Sequence, residues 1–233
     1  MGNIDGNVIG QFLLYMVALI FSLSVHESAH AWMSNRFGDD LARLQGRISL
    51  NPVAHVDPIG TLLFPAMAFF TGAPLIGWAK PTPVNPFRWR NKRVANFWVS
   101  IAGVLCNFAI AIVAALIMRI LVIGKVIFLI ATPYGVRAFP TNENSLIVEG
   151  AATLLTVFLT LNVALGVFNL IPIPPLDGSK VLQSILPESF EPGFEALERF
   201  GFILLILAMF TGVFSLIFRA VMPVAMAILF VGV

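Results

Sequence analysis

Apolar side chains run along this chain in long blocks rather than alternating with polar ones. Residues 6–25, 58–79, 94–118, 150–176 and 200–218 contain no charged residue, and each block approaches or exceeds the ~20 residues a helix needs to cross a bilayer. A shorter block, 220–233, is broken by Pro223 and leaves open whether it spans or lies at the interface. The block at 58–79 makes a poor straight helix, because Gly60, Pro65, Gly72, Pro74 and Gly77 fall inside it,. Its continuation, Gly77-Trp78-Ala79-Lys80-Pro81-Thr82-Pro83-Val84-Asn85, reads as extended backbone,. The pattern predicts an all-α polytopic membrane protein of about four to six transmembrane helices, with a re-entrant, extended β-like segment near residues 58–90. No repeat or linker divides the chain, so one membrane-embedded domain over 1–233 is expected, its core at about 8–186 and its C-terminal helices at about 195–233.

The basic residues orient this path. Arg36, Arg43 and Arg47 follow the first block, and Arg88, Arg90, Lys92 and Arg93 precede the third. Under the positive-inside tendency both clusters face the cytoplasm. The 58–79 block then enters and leaves on one side, residues 133–149 form an external loop, and the 150–176 block returns to the cytoplasmic side.

Composition narrows the class further. Of the 233 residues 58% are hydrophobic and 11% charged, under half the ~25% charged fraction of a soluble domain. Mean hydropathy is +0.92. A soluble globular protein and a disordered chain are both excluded. The net charge of +2 is accounted for by cytoplasmic loops, so no nucleic-acid partner is expected. The single cysteine, Cys106, offers neither a disulfide nor a Cys-rich metal site,. The first apolar block has no basic n-region and is read as mature protein.

Against this background His26-Glu27-Ser28-Ala29-His30 stands out, since it continues the first apolar block directly. Ionisable groups at membrane depth are costly and imply a function and a partner. Residues i and i+4 share one helix face, so both imidazoles can hold one metal ion while Glu27, about 100° round the helix, reaches a water beside it. This is the helical zinc-protease pattern, and zinc is the favoured ion. The plain alternative, a surface helix with two histidines and a glutamate, does not suit a lipid-adjacent position. A catalytic zinc needs a third protein ligand. Asp177 stands where the fourth block ends, after Pro172, Pro174 and Pro175 and before Gly178, so its carboxylate can be aimed inward,. It can equally cap the helix that follows.

The His26–His30 motif, the distal Asn169…Pro175-Leu176-Asp177-Gly178, the central Gly103-Val104-Leu105-Cys106-Asn107, and Asn51-Pro52…His55-Val56-Asp57-Pro58 together resemble the site-2 protease family of intramembrane zinc metalloproteases. The likeness is to a compact prokaryotic-type branch and spans about residues 8–186. It departs in one place, reading Gly-Val where the family often has Gly-Pro, which is expected to be harmless. No PDZ or CBS segment is expected. The resemblance implies one Zn2+ held by His26, His30 and Asp177, with Glu27 and Asn169 catalytic, in a prokaryotic inner or plasma membrane with the site toward the cytoplasm. It further implies hydrolysis of transmembrane or signal-remnant peptides. The extended segment, through Gly77, Trp78, Ala79, Lys80, Pro81, Val84 and Asn85, is a candidate for binding substrate by strand addition. His55 and Asn107 are further substrate-side candidates. A lone loop histidine, here beside Asp57, is more often simply hydrogen-bonded, and Asn107 more often bonds between helices. Trp32, Trp78, Trp89 and Trp98 are read as interfacial anchors.

Two other readings compete. A metal transporter or channel would use His26, Glu27 and His30 for transported ions, and should show repeats or further polar residues along a path. A different membrane zinc protease would take its third ligand from Glu143, Glu149 or the 188–198 glutamates, none of which has the apolar setting of Asp177.

Overall fold

The computed structural model describes residues 6–72, 77–132, 135–142 and 145–230. Helix α1, Gly6–Arg36, carries the first apolar block through the His-Glu-x-x-His motif without a break. Its Ser22 and Ser24 hydroxyls donate back to the Ala18 and Ile20 carbonyls at 2.6 and 2.7 Å, which internalises two polar groups on an otherwise lipophilic rod. After the short α2, Leu41–Leu44, a π-helical turn at Pro58–Leu63 leads into α3, Phe64–Thr71. Asp57 opens that turn by accepting from Ile59 and Gly60 N–H, and Gly72, at φ +70°, closes α3.

Turn and helix together are about 21 Å long, short of the ~30 Å hydrocarbon core. The chain comes back to its starting level, where Lys80 N–H donates to the His55 carbonyl at 2.8 Å. The segment is re-entrant, and its return limb past residue 77 is extended, without a ladder of its own.

Helix α4, Lys92–Ile123, starts at an Asn91 side-chain cap and is 32 residues long. Its buried face is a line of small residues, Gly103, Asn107, Ala111, Ala114 and Ala115, which lets α1 and α5 approach closely on either side. Helix α5, Leu146–Asn169, stops before the prolines. The chain turns through the cis Pro174–Pro175 bond into α6, Asp177–Ile185, which lies against α4.

Three corrections to the sequence reading follow. Residues 127–140 are not simply the approach to an external loop. Strands β1, Ile127–Thr132, and β2, Gly135–Pro140, pair antiparallel with Leu129 opposite Ala138, and Ile127, Val136 and Ala138 are buried with Met118, Leu159 and Met222. The block at 200–218 is not one straight span either. Helix α7, Glu191–Phe210, and α8, Val213–Leu229, meet at a 69° bend, because Gly212 adopts φ +75°, a conformation glycine tolerates. Block 220–233 is no separate element, since α8 continues through Pro223 to Leu229. Among the described residues three helices are long and apolar enough to cross a membrane, or four if the bent pair counts as one span. The chain is a multi-pass, all-α membrane protein with one small hairpin. Of the tryptophans, Trp89 is buried and donates to Ser34 Oγ at 2.8 Å, so it packs the interior. Trp32, Trp78 and Trp98 remain exposed.

Candidate metal centre and active site

The geometry brings together three groups from two distant stretches of sequence. His26 and His30 project from one face of α1, with their Nε2 atoms 3.0 Å apart. Asp177, the first residue of α6, places Oδ2 3.2 Å from both. The N-cap of α6 is Leu176 and no side chain makes a capping hydrogen bond there, so Asp177 is not held as a helix cap. Its buried Oδ2 has no hydrogen-bond partner apart from the imidazole edges.

The other imidazole nitrogens decide the protonation. His30 Nδ1 lies 2.6 Å from the Val99 carbonyl, which can only accept, so Nδ1 carries the proton. His26 Nδ1 lies 2.7 Å from Asn107 Oδ1, and the orientation of that amide is set further away. Asn162 Nδ2 donates to the Phe158 carbonyl and to Ser22 Oγ, each at 2.8 Å. Asn162 therefore offers Oδ1 to Asn107 Nδ2 at 2.9 Å, and Asn107 has only its oxygen left for His26. His26 Nδ1 is then also a donor. With both rings neutral, each Nε2 keeps a lone pair and, with the Asp177 carboxylate, the two form a triangle of acceptors 3.0–3.2 Å on a side. Three lone pairs at that distance repel unless a cation lies between them. Ligands sharing one tetrahedral zinc stand about 3.3 Å apart, so this donor set fits that ion.

Glu27 also brings its carboxylate within 4.8 Å of the imidazole nitrogens. Asp177 Oδ2 lies 3.2 Å from both Nε2 atoms, whereas Glu27 Oε2 already accepts from Thr82 N–H at 2.8 Å. Asn169 stands at the end of α5, its Nδ2 donating to Leu165 O at 3.0 Å. No hydrogen bond joins it to the histidines or Asp177 among the described residues.

Gly103 on α4 closes the floor. A Cβ there would sit 2.5 Å from His26 Cε1 and 2.6 Å from His30 Nε2. Gly103→Ala is expected to weaken zinc binding at least tenfold or so, like the loss of a supporting contact, while α4 gains helix propensity. Zinc per chain, measured with the melting temperature, checks this.

The substrate-side candidates separate into two groups. Asn107 is fully buried and its amide bonds His26 and Asn162, so it supports a histidine from a place closed to substrate. His55 is equally enclosed, and its partner is not Asp57. Its Nε2 donates to the Ser49 carbonyl at 2.8 Å, while Asp57 is spent on the π-turn. Burial and the nearby Arg47 charge push the His55 pKa down against that carbonyl bond. The return limb is held along one edge. Trp78 N–H donates to Gly60 O, Thr61 Oγ1 donates to Trp78 O, and Arg47 bridges the Ala54 and Lys80 carbonyls. Asn85 N–H donates to Asp39 at 2.7 Å. Gly77 lies against Gly60, and Val84 packs beside Trp89. Ala79, Pro81 and Pro83 are left for the other edge, where Ala79 alone has an N–H.

Sequence reasoning passed over Asn162, Ser22, Arg47 and Thr82. An amide inside a charge-free block, as at Asn162, was the available signal. Nothing local marked the other three. The alternative ligand Glu143 lies outside the described residues, and Glu149 sits in the first turn of α5, at the far end from the histidines.

With this geometry in hand the comparisons are decisive. The profile of Peptidase family M50 matches residues 14–209. The chain belongs to that family. It is 34% identical over 199 residues, 84% of this chain and 80% of the relative, to the Bacillus subtilis protein named "Putative zinc metalloprotease YwhC". It is 27% identical to proteins named in the same terms as Rip2, over 87% of this chain and 69% of the relative in Mycolicibacterium smegmatis, and over 84% and 66% in Mycobacterium tuberculosis H37Rv. No solved structure matches. The names of these relatives imply zinc, and the cluster at His26 and His30 could hold a metal ion.

Proposed function

We propose that this M50 protein is a zinc endopeptidase that hydrolyses peptide bonds within or near transmembrane segments, including signal-peptide remnants. The observation that carries the reading is the close triangle of Nε2, Nε2 and carboxylate oxygen, 3.0–3.2 Å on a side and buried beside Glu27. His26, His30 and Asp177 would hold the ion. When bound, it supplies Lewis acidity, which makes water nucleophilic at neutral pH and polarises a peptide carbonyl. Glu27 takes the proton from the attacking water and delivers it to the leaving amine. Asn169 uses one of its two amide protons on Leu165, leaving the other for a substrate carbonyl. A helical substrate hides its peptide bonds in its own hydrogen bonds and must unwind locally. The outer edge at Pro81 and Pro83, next to the buried Ala79, suits strand addition in which the substrate donates. The basic clusters at Arg36–Arg47 and Arg88–Arg93 share the end nearest the histidines, where Arg88 pairs with Asp40, so the site faces the cytoplasm under the positive-inside tendency.

Metal removal tests this. Purified protein stripped by a strong chelator is expected to lose all hydrolysis of a synthetic single-span peptide, and one equivalent of Zn2+ to restore it. Hydrolysis that persists at zero zinc overturns the reading.

A further inference from the structure

The extended return limb does more than close the re-entrant loop, and this inference rests on the proposed role of Glu27. Two hydrogen bonds tie the limb to that residue. Thr82 N–H donates to Glu27 Oε2 at 2.8 Å, and Thr82 Oγ1 donates to the Glu27 carbonyl at 2.9 Å. No other hydrogen bond reaches the Glu27 carboxylate among the described residues. We infer that Thr82 is the positioning residue for Glu27, fixing which carboxylate oxygen faces the reacting water.

Glu27 has three side-chain torsions and is only half-buried, so its own helix does not select one rotamer. Thr82, by contrast, is placed by contacts independent of Glu27. Before it, Trp78 is paired with Gly60 and Thr61, and Lys80 with His55 and Arg47. After it, Asn85 is anchored on the buried Asp39. Pro81 and Pro83 restrict the backbone on both sides. The direction of the Thr82 amide is therefore set by the limb, and the carboxylate follows it. The amide occupies Oε2 and leaves Oε1 to exchange protons. The hydroxyl grips the Glu27 main chain, holding α1 at a fixed distance from the limb. A misplacement of about 1 Å at such a group costs on the order of a hundredfold in rate.

The test compares the wild-type protein with Thr82→Val, Thr82→Ser, Thr82→Pro and Glu27→Gln on one fluorogenic single-span peptide in detergent micelles, with zinc measured in each preparation. Thr82→Val removes the hydroxyl bond and is expected to lower kcat about tenfold. Thr82→Pro also removes the amide proton and is expected to lower it about a hundredfold. KM should stay within about twofold and zinc at the wild-type level, and Thr82→Ser should restore kcat. Wild-type kcat in Thr82→Val overturns the inference even if Thr82→Pro does not fold. So does a loss of rate that tracks lost zinc, or one confined to KM. If Glu27→Gln is inactive while the Thr82 variants match wild type, only this inference fails. If Glu27→Gln keeps full activity, the underlying reading fails and takes the inference with it.

Discussion

Asp177→Asn protein is expected to purify almost free of zinc and to hydrolyse no peptide. The substitution keeps the size of the side chain and changes two physical quantities. It removes the negative charge that two neutral imidazoles cannot replace. It can also turn an amide N–H toward the His26 and His30 Nε2 atoms, now 3.2 Å from Oδ2. Those N–H groups would satisfy both lone pairs from within the protein, so an incoming ion would have to break hydrogen bonds as well as bind with one ligand fewer. Supporting groups around zinc sites are worth 10–100-fold in affinity, and loss of a ligand should exceed the upper end of that range. The fold should survive, because the N-cap of α6 is Leu176 and the helix has no side-chain cap to lose. A full cap would cost only about 1 kcal/mol in any case. Elemental analysis with circular dichroism decides the matter. Full zinc occupancy in Asp177→Asn would remove Asp177 from the ligand set.

How much of this was legible beforehand differs by element, for physical reasons. The helices α1, α4 and α5 were readable because their segments are apolar on every side, a property that needs no partner to be seen. Their ends were less so. Helix α1 runs eleven residues or so past its apolar block, because polar motif residues continue a helix whose neighbours, rather than lipid, receive them. Helix α5 stops at Asn169, ahead of the block's end, because Pro172, Pro174 and Pro175 cannot continue it,. The hairpin went unread because β1 is apolar up to Thr132, and which of its residues are buried is decided only by its packing on α4 and β2. The break at Gly212 was hidden for the opposite reason. Glycine is common in membrane helices, and only its left-handed φ makes it a corner,. In the candidate site, spacing put His26, Glu27 and His30 on neighbouring positions of one helix, whereas the setting of Asp177 among prolines left a ligand and a helix cap equally open. The chain from Ser22 through Asn162 and Asn107 to His26 was not legible. It joins positions as far as 140 residues apart, and no local pattern reports such a contact. The same holds for Thr82, whose part depends on a limb held by Arg47, His55 and Asp39.

Glu27→Gln should show the opposite combination to Asp177→Asn, full zinc and no hydrolysis. The amide is nearly isosteric with the carboxylate, and its carbonyl oxygen can still accept from Thr82 N–H, so the placement of the residue is preserved. His26, His30 and Asp177 are untouched, and the metal content should stay at one ion per chain. What is lost is the ability to take a proton from water and return it to the leaving amine. A general acid–base group contributes typically 10²–10⁴-fold, so the rate should fall by about a thousandfold, below the floor of an ordinary endpoint assay. In cells the same variant should let membrane-embedded stubs accumulate, and comparing them with wild type by proteomics would identify substrates directly. The result also separates the protease from a transporter built on the same residues. A transport site needs Glu27 for its charge near the ion, so there the substitution would alter metal affinity and leave peptide levels unchanged. Undiminished cleavage by Glu27→Gln would show that some other group moves the proton. Lost cleavage together with lost zinc would show that Glu27 belongs to the metal shell, and the assignment of Asp177 as third ligand would then have to be revised.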